Sequence, residues 1–148
     1  MVVRLFLRLV VIAGLVVDVY VHWHLAPNFD TLKGSGSPSI SQGELFRVEA
    51  VLALVAMVLV GVVHRRWTVA LAFLVAAGGA AAVLLYRYVD VGAIGPLPNM
   101  YDALWYTEKT VSVIAEAAAA VAALVLFFVE VRPRDAGPLV VRPRAASR

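Results

Sequence analysis

Four long runs of apolar residues set the main limit on how this chain can fold. A helix needs about 20 such residues to cross the hydrocarbon of a bilayer, and the runs predict spans at residues 4–25, 44–63, 67–89 and 106–131. Hydrophobic residues make up 62% of the 148 and charged residues only 16%, whereas about a quarter of a soluble domain is charged. The sequence therefore predicts an all-α integral membrane protein. We expect a four-transmembrane-helix up-down bundle as one domain, residues 1–131, followed by a basic tail, residues 132–148.

The ends of the first two spans carry recognisable signals. Arg4 and Arg8 flank the first run as in a signal peptide, but the run is too long for that role and no small-residue cleavage site precedes Pro27. We therefore expect the first span to be retained and Pro27 to end it. Ser41 and Glu44 have the spacing of a capping box, which predicts that the second helix begins there.

The distribution of lysine and arginine predicts the orientation of the bundle. One side of the predicted membrane holds most of these residues: Arg4, Arg8, Arg65, Arg66, Arg132, Arg134, Arg142, Arg144 and Arg148. The other side holds Lys33, Arg47, Arg87 and Lys109. The positive-inside rule places both termini in the cytoplasm and two long loops outside. We expect a multi-pass protein of the cell membrane whose basic tail meets anionic lipid heads.

Several function classes are excluded or left without support. The chain contains no cysteine, which removes disulfides, thiolate metal sites and the four-helix quinone-linked thiol oxidoreductases of similar size. It lacks a nucleophile elbow, a Walker loop, a dinucleotide fingerprint and an HExxH motif, so no catalytic residue is predicted. The basic residues lie at membrane boundaries, not on one face, so nucleic acid is not an expected partner.

The third and fourth spans are rich in small residues, as in residues 76–82 and 115–123. Small residues let membrane helices approach closely. We expect these spans to pack tightly, either within one chain or between two chains in a homodimer. The same faces could instead contact another membrane protein.

Three carboxylates lie inside predicted spans. A helix rises about 1.5 Å per residue, which puts Asp18 roughly 10 Å, Glu49 roughly 7 Å and Glu116 roughly 15 Å below the outer ends of their helices. A charged side chain at the centre of a bilayer costs about 2.5–3.5 kcal/mol on insertion scales. Three such groups at a similar depth predict a shared polar chamber in the outer half of the membrane.

Neighbouring residues define the candidate site. His22 is four residues after Asp18 and shares its helix face, whereas His24 diverges from His22 by about 200°. The predicted pocket core and possible ligands of a divalent metal are Asp18, His22, Glu49 and Glu116. The predicted charge partners are Arg47, Arg87 and Lys109, with Tyr101, Asp102 and Trp105 at the mouth.

The sequence leaves three functions open. The first is an outward-facing pocket that binds a cation, as a divalent metal or a proton relay, or a small polar ligand. The second is a non-catalytic accessory or scaffold subunit of a membrane complex, with the buried charges as structural ion pairs. The third is an enzyme acting on a lipid or quinone at the outer leaflet, with a glutamate or histidine as acid and base.

Overall fold

A computed structural model describes residues 1–35 and 37–131 and has an all-α fold. Its four long helices are α1 (Val2–Leu25), α2 (Gln42–Val62), α3 (Arg66–Tyr88) and α4 (Thr107–Val131), and a short 3₁₀ turn (Ala26–Phe29) follows α1. All four bounds agree closely with the apolar runs, and the predicted all-α bundle is confirmed. The predicted basic tail, residues 132–148, lies outside the described residues.

The predicted capping box begins α2. The Ser41 side chain accepts a hydrogen bond from the Glu44 amide at 3.0 Å, and the Glu44 carboxylate accepts one from the Ser41 amide at 2.7 Å. This exchange satisfies two of the amide donors that a helix leaves unpaired at its start. At the other end of α2, three residues connect it to α3, and Thr68 donates to the Arg65 carbonyl at 2.7 Å.

The four helices form a ring in which each packs against its two neighbours, with α4 closing back on α1. Alanine dominates the shared core, and the few larger buried side chains there include Val11, Leu15 and Leu126. Gly14 marks the closest approach of α1 to α4, since a Cβ at this position would lie 2.6 Å from the Ala115 carbonyl oxygen. The predicted close packing of the small-residue spans is confirmed within one chain.

Three helices are long and apolar enough to cross a membrane: Gln42–Val62, Arg66–Tyr88 and Thr107–Glu130. The first helix is not among these three. It has 24 residues and carries two charged side chains, Arg8 and Asp18, that are buried within the bundle. The fold is therefore a multi-span helical membrane protein that contacts the lipid bilayer.

One end of the bundle, next to the α2–α3 turn, is held together by arginines. Arg8 is only 7% exposed and donates hydrogen bonds to the Val60 carbonyl at 2.7 Å and to the Glu130 carboxylate at 2.5 Å. Arg66 donates to the Glu130 carbonyl at 3.1 Å, and Arg4 to the Val129 carbonyl at 3.1 Å. We call this end, formed by these arginines and their partners, the closed end.

The two long loops pack on each other at the opposite end. The Ile40 amide donates to the Pro96 carbonyl at 2.9 Å, and Ile94 and Leu97 exchange backbone hydrogen bonds across a tight turn. Gly95 has a φ of +56° in this turn, a left-handed conformation that side chains other than glycine rarely adopt. The second loop then returns to α3, where the Asp102 amide donates to the Tyr86 carbonyl at 3.0 Å.

Candidate metal centre

The centre begins with two buried side chains on the last turns of α1. Asp18 is fully buried and His22 is 8% exposed. The His22 Nδ1 atom lies 2.5 Å from the Asp18 Oδ1 atom and 3.1 Å from the Asp18 carbonyl oxygen. The i, i+4 spacing places both groups on the face of α1 that points into the bundle. Phe46 of α2 contacts the imidazole edge to face, with 5.2 Å between ring centroids.

Glu116 of α4 completes the group. It is fully buried, and one potential ligand atom each from Asp18, His22 and Glu116 lie within 4.8 Å of one another. Ser112, one turn earlier on α4, donates a hydrogen bond of 2.7 Å to the Glu116 Oε1 atom. Gly79 of α3 makes room for the carboxylate, because a Cβ there would lie 3.0 Å from the Glu116 Cδ and Oε2 atoms.

Several oxygens of this centre lack hydrogen-bond partners among the described residues. They are both Asp18 carboxylate oxygens and the Glu116 Oε2 atom. The Asp18 Oδ1 atom is nonetheless only 2.5 Å from the His22 Nδ1 atom, so a protonated His22 can pair with this one oxygen. Buried polar atoms are nearly always satisfied in folded proteins, and each exception needs an explanation. A bound cation, a proton or an ordered water molecule would satisfy carboxylate oxygens here.

A cavity of about 310 Å³ lies beside the centre. The residues that line it include His22, which contacts Asp18, and Ser112, which contacts Glu116. Glu49 of α2 also lines the cavity and is close enough to Asp18 and His22 for electrostatic interaction with them. Its Oε1 atom is enclosed and has no hydrogen-bond partner among residues 1–35 and 37–131. Glu49 therefore belongs to the same polar region, although it is not a member of the three-residue group.

The three basic residues expected beside the buried carboxylates have other contacts. Arg47 forms a two-pronged hydrogen bond with Asp30, at 2.7 Å on each prong. Lys109 donates to the Asp102 carbonyl at 2.6 Å and lies 3.2 Å from the Asp102 Oδ2 atom. The Arg87 guanidinium lies over the Tyr88 and Trp105 rings, at 5.1 Å and 5.6 Å. Within the described part of the chain, none of the three forms an ion pair with the buried carboxylates.

Asp30, which lies outside the predicted spans, accepts both hydrogen bonds from Arg47. The hydrogen bonds from Arg47 lower the pKa of the Asp30 carboxyl below its usual value, and this effect exceeds the opposing effect of partial burial. The pair ties the first loop to the start of α2. Gly43 permits this close approach, because a Cβ at Gly43 would collide with the Asp30 carboxylate and the Ala26 carbonyl oxygen.

The remaining candidate residues lie around the outer end of the cavity. Asp102 lines the cavity together with Met100 of the same loop. Trp105 is partly exposed and stacks above the Arg87 and Lys109 cations, whereas Tyr101 is 41% exposed and is not among the lining residues. His24 stacks on Tyr20 at 5.6 Å, outside the centre, as its spacing from His22 predicts.

Two residues shape the centre without supplying a ligand, and the sequence pointed to Ser112 but not to Gly79. Ser112 shares a helix stripe with Glu116, and that spacing is the signal for its hydrogen bond. Gly79 lies in an alanine- and glycine-rich stretch that indicates only close packing. Its role beside Glu116 depends on how α3 and α4 are rotated relative to each other. The spacing of residues along one helix gives no information about that rotation.

Comparison with protein-family models, with curated proteins and with solved structures finds no match. The chemistry of the centre must therefore follow from its own residues. One imidazole nitrogen and two carboxylates form a donor set suited to first-row divalent metals such as Zn²⁺, Mn²⁺ or Fe²⁺. Three protein ligands leave at least one coordination position for water or another ligand.

Proposed function

We propose that this protein is a four-span membrane protein with both termini in the cytoplasm. In this proposal Asp18, His22 and Glu116 bind a divalent cation in a pocket that faces outward. Glu49 lies at the edge of that pocket. The observation that carries the proposal is the set of fully buried carboxylate oxygens without hydrogen-bond partners beside an imidazole.

The energetic argument concerns charge. Removing one ion from water costs several kcal/mol even after the protein relaxes. For the three groups Asp18, His22 and Glu116, the total cost is on the order of the free energy of unfolding of a whole domain. His22 can balance at most one of the two negative charges that Asp18 and Glu116 would carry. A divalent cation balances both and supplies the missing partners of their oxygens.

The membrane placement of α1 supports a fourth span. Two of its three charged side chains, Arg8 and Asp18, point into the bundle, the third, Arg4, lies in the first turn, and most of its outer face is apolar. The large exposed side chains of α1 include Leu5, Phe6, Leu9 and Val16. A surface of this kind would be a liability in water but suits lipid contact. At 24 residues α1 is about 36 Å long, which is enough to cross the hydrocarbon.

The accessory-subunit alternative assigns the buried charges to structural ion pairs. Such pairs are found where Arg8 meets Glu130 and where Arg47 meets Asp30. The buried carboxylates of the centre are different, because Arg47 and Lys109 pair with Asp30 and Asp102 instead, and the one basic side chain beside them in the described chain is His22. This difference favours a ligand over a structural role for Asp18 and Glu116.

Metal binding to the purified full chain tests the proposal. The protein in mild detergent is dialysed against Zn²⁺ or Mn²⁺, and bound metal is counted by elemental analysis. We expect about one ion per chain, with at least tenfold weaker binding in Asp18→Asn, His22→Gln and Glu116→Gln. The matched control is Glu108→Gln, a carboxylate that is exposed on the same helix as Glu116.

The outcomes separate a metal site from a proton site. Binding that is unchanged in all three ligand variants contradicts the proposal. If no metal is bound and proton uptake disappears in Glu116→Gln, the site binds a shared proton instead of a metal ion. Equal loss of binding in Glu108→Gln would indicate adsorption to surface carboxylates instead of a defined centre.

A further inference from the structure

The cavity beside the metal centre opens toward the side of the bundle. Val48 of α2 and Gly78 and Ala82 of α3 all line the cavity and are exposed. A Cβ at Gly78 would have no heavy atom within 4 Å, so open space adjoins α3 at this point. The two helices meet at the closed end through a three-residue connection, and the opening lies between them farther out.

The depth of this opening points to lipid as the neighbouring phase. At about 1.5 Å per residue, Val48 lies roughly 9 Å from the start of α2, and Gly78 lies roughly 15 Å from the end of α3. Both helices are long and apolar enough to span a membrane. An opening at that depth between two spanning helices faces acyl chains and not the aqueous surface.

The lining combines a largely apolar wall with a few polar side chains. Apolar and aromatic residues form most of the wall: Val21, Leu25, Leu45, Phe46, Val83 and Met100. The polar residues at the wall include Glu49 and Lys109. Glu49 has an enclosed oxygen without a partner among the described residues, so it calls for a hydrogen-bond donor. Lys109 has three donors, and Asp102 is its partner in the described chain, which leaves one N–H for an acceptor.

We propose that this cavity binds a lipid-soluble molecule with a hydroxylated aromatic head group, of the quinol type, which enters from the bilayer between α2 and α3. A head-group hydroxyl donates to Glu49, and a head-group oxygen accepts from Lys109. The rings of Phe46, Tyr86 and Tyr106 suit a flat head group. The inference uses the membrane placement of the proposed function but does not depend on the bound cation.

The volume and the aromatic wall select this class. A cavity of about 150 Å³ with apolar walls accommodates one benzene molecule, so 310 Å³ holds a substituted ring and the first part of an apolar chain. Tyr106 also lines the cavity and has a hydroxyl that can donate a hydrogen bond. A ligand with only an apolar chain would leave the enclosed Glu49 oxygen without a partner.

Binding of one quinol and its oxidised form tests the inference on the full chain. Decyl-benzoquinol is added under anaerobic conditions, native mass spectrometry counts the bound molecules, and the rise in melting temperature gives the affinity. We expect one quinol per chain, and about tenfold weaker binding of decyl-benzoquinone because it has no hydroxyl for Glu49. In Glu49→Leu the two forms should bind alike.

Two alanines provide a matched pair for the entrance. Ala82 and Ala81 are adjacent and both exposed on α3, but only Ala82 lines the cavity. Ala82→Leu should weaken quinol binding at least tenfold, and Ala81→Leu should leave it within about twofold.

Three results would overturn the inference. They are equal effects of the two alanine substitutions, a quinone that binds as well as the quinol to the unmodified chain, and binding of dioleoylglycerol in place of the quinol. Metal content measured on the same samples keeps the two proposals separate. Loss of metal in Asp18→Asn with unchanged quinol binding would leave the cavity assignment intact. Quinol binding to a chain that takes up no metal would overturn only the proposed cation site.

Discussion

At the residue scale, the proposed metal centre depends on side chains that hold its candidate ligands as well as on those ligands themselves. Ser112 donates to the Glu116 Oε1 atom at 2.7 Å and is only 2% exposed. This bond fixes one carboxylate oxygen and leaves Oε2 free to bind. Partners of this kind commonly change metal affinity by about 10–100-fold.

Ser112→Ala should therefore weaken Zn²⁺ or Mn²⁺ binding about tenfold without removing a ligand. Equilibrium dialysis of the purified variant measures this change. Thr110→Ala is the control, because the exposed Thr110 hydroxyl donates to the carbonyl of Tyr106, the residue just before α4. An effect of Ser112→Ala no larger than that of Thr110→Ala would show that the hydrogen bond does not position Glu116 for the metal.

Spacing along a helix predicts some residues of the centre and not others. Asp18 and His22 are four residues apart, so their contact follows from the helical period alone. The comparable depth of Glu116 follows from the length of its span. Charge pairing was less predictable, since Arg47 meets Asp30 only because of the path that the first loop takes. A loop path depends on many weak contacts that no short motif records.

At the element scale, the approach of α1 to α4 decides whether the ligands meet. Gly14 lies one turn before Asp18, and Ala115 lies next to Glu116 along the other helix. A Cβ at Gly14 would be 2.6 Å from the Ala115 carbonyl oxygen and 2.7 Å from the Ala119 Cβ atom. Any side chain at Gly14 must therefore push the two helices apart.

Gly14→Val should lower metal affinity at least tenfold and destabilise the bundle by about 1–3 kcal/mol, as overpacked cores do. Ala13→Val places the same side chain on the exposed face of α1 and should change neither quantity noticeably. Dialysis reports the affinity, and unfolding by denaturing detergent reports the stability. Full metal affinity in a folded Gly14→Val protein would refute this role for the helix approach.

The attachment of the first loop to α2 should depend on pH. Hydrogen bonds from Arg47 lower the pKa of Asp30 in the folded protein. A lowered carboxyl pKa stabilises the fold above the unfolded value, about 3.9 for aspartate, and this contribution is lost as pH falls through the folded value. Amide hydrogen exchange in residues 26–35 should therefore speed up below about pH 4 relative to Asp30→Asn, which lacks the titrating group. Parallel pH profiles for the two proteins would contradict this.

The elements themselves were the most predictable part of the molecule. The length of each apolar run fixes its helix, and the Ser41–Glu44 capping box fixes where α2 begins. The buried position of Arg8 was not apparent, because a cation near the start of an apolar run usually marks the membrane surface. Its side chain instead reaches Val60 and Glu130, which lie far away in sequence.

At the scale of the whole molecule, the two ends of the bundle differ. Arginines tie α1, α2, α3 and α4 together at the closed end, whereas the cavity and the metal centre lie toward the loop end. Removing one partner of a buried ion pair typically costs about 3–5 kcal/mol. Because the cavity lies toward the loop end and the closed end is tied by these contacts, we expect the polar centre to be reached from the loop end or from the side of the bundle.

The proposed orientation places the loop end outside the cell, and the cysteine-free sequence allows a direct test. Tyr101 is exposed in the second loop, and His64 is in the connection between α2 and α3 at the closed end. A membrane-impermeant maleimide applied to intact cells should label Tyr101→Cys and should label His64→Cys only after the cells are opened. This expectation follows from the positive-inside rule, because basic residues concentrate at the closed end. Labelling of His64→Cys in intact cells, with protection of Tyr101→Cys, would reverse the orientation and place the cavity on the cytoplasmic side.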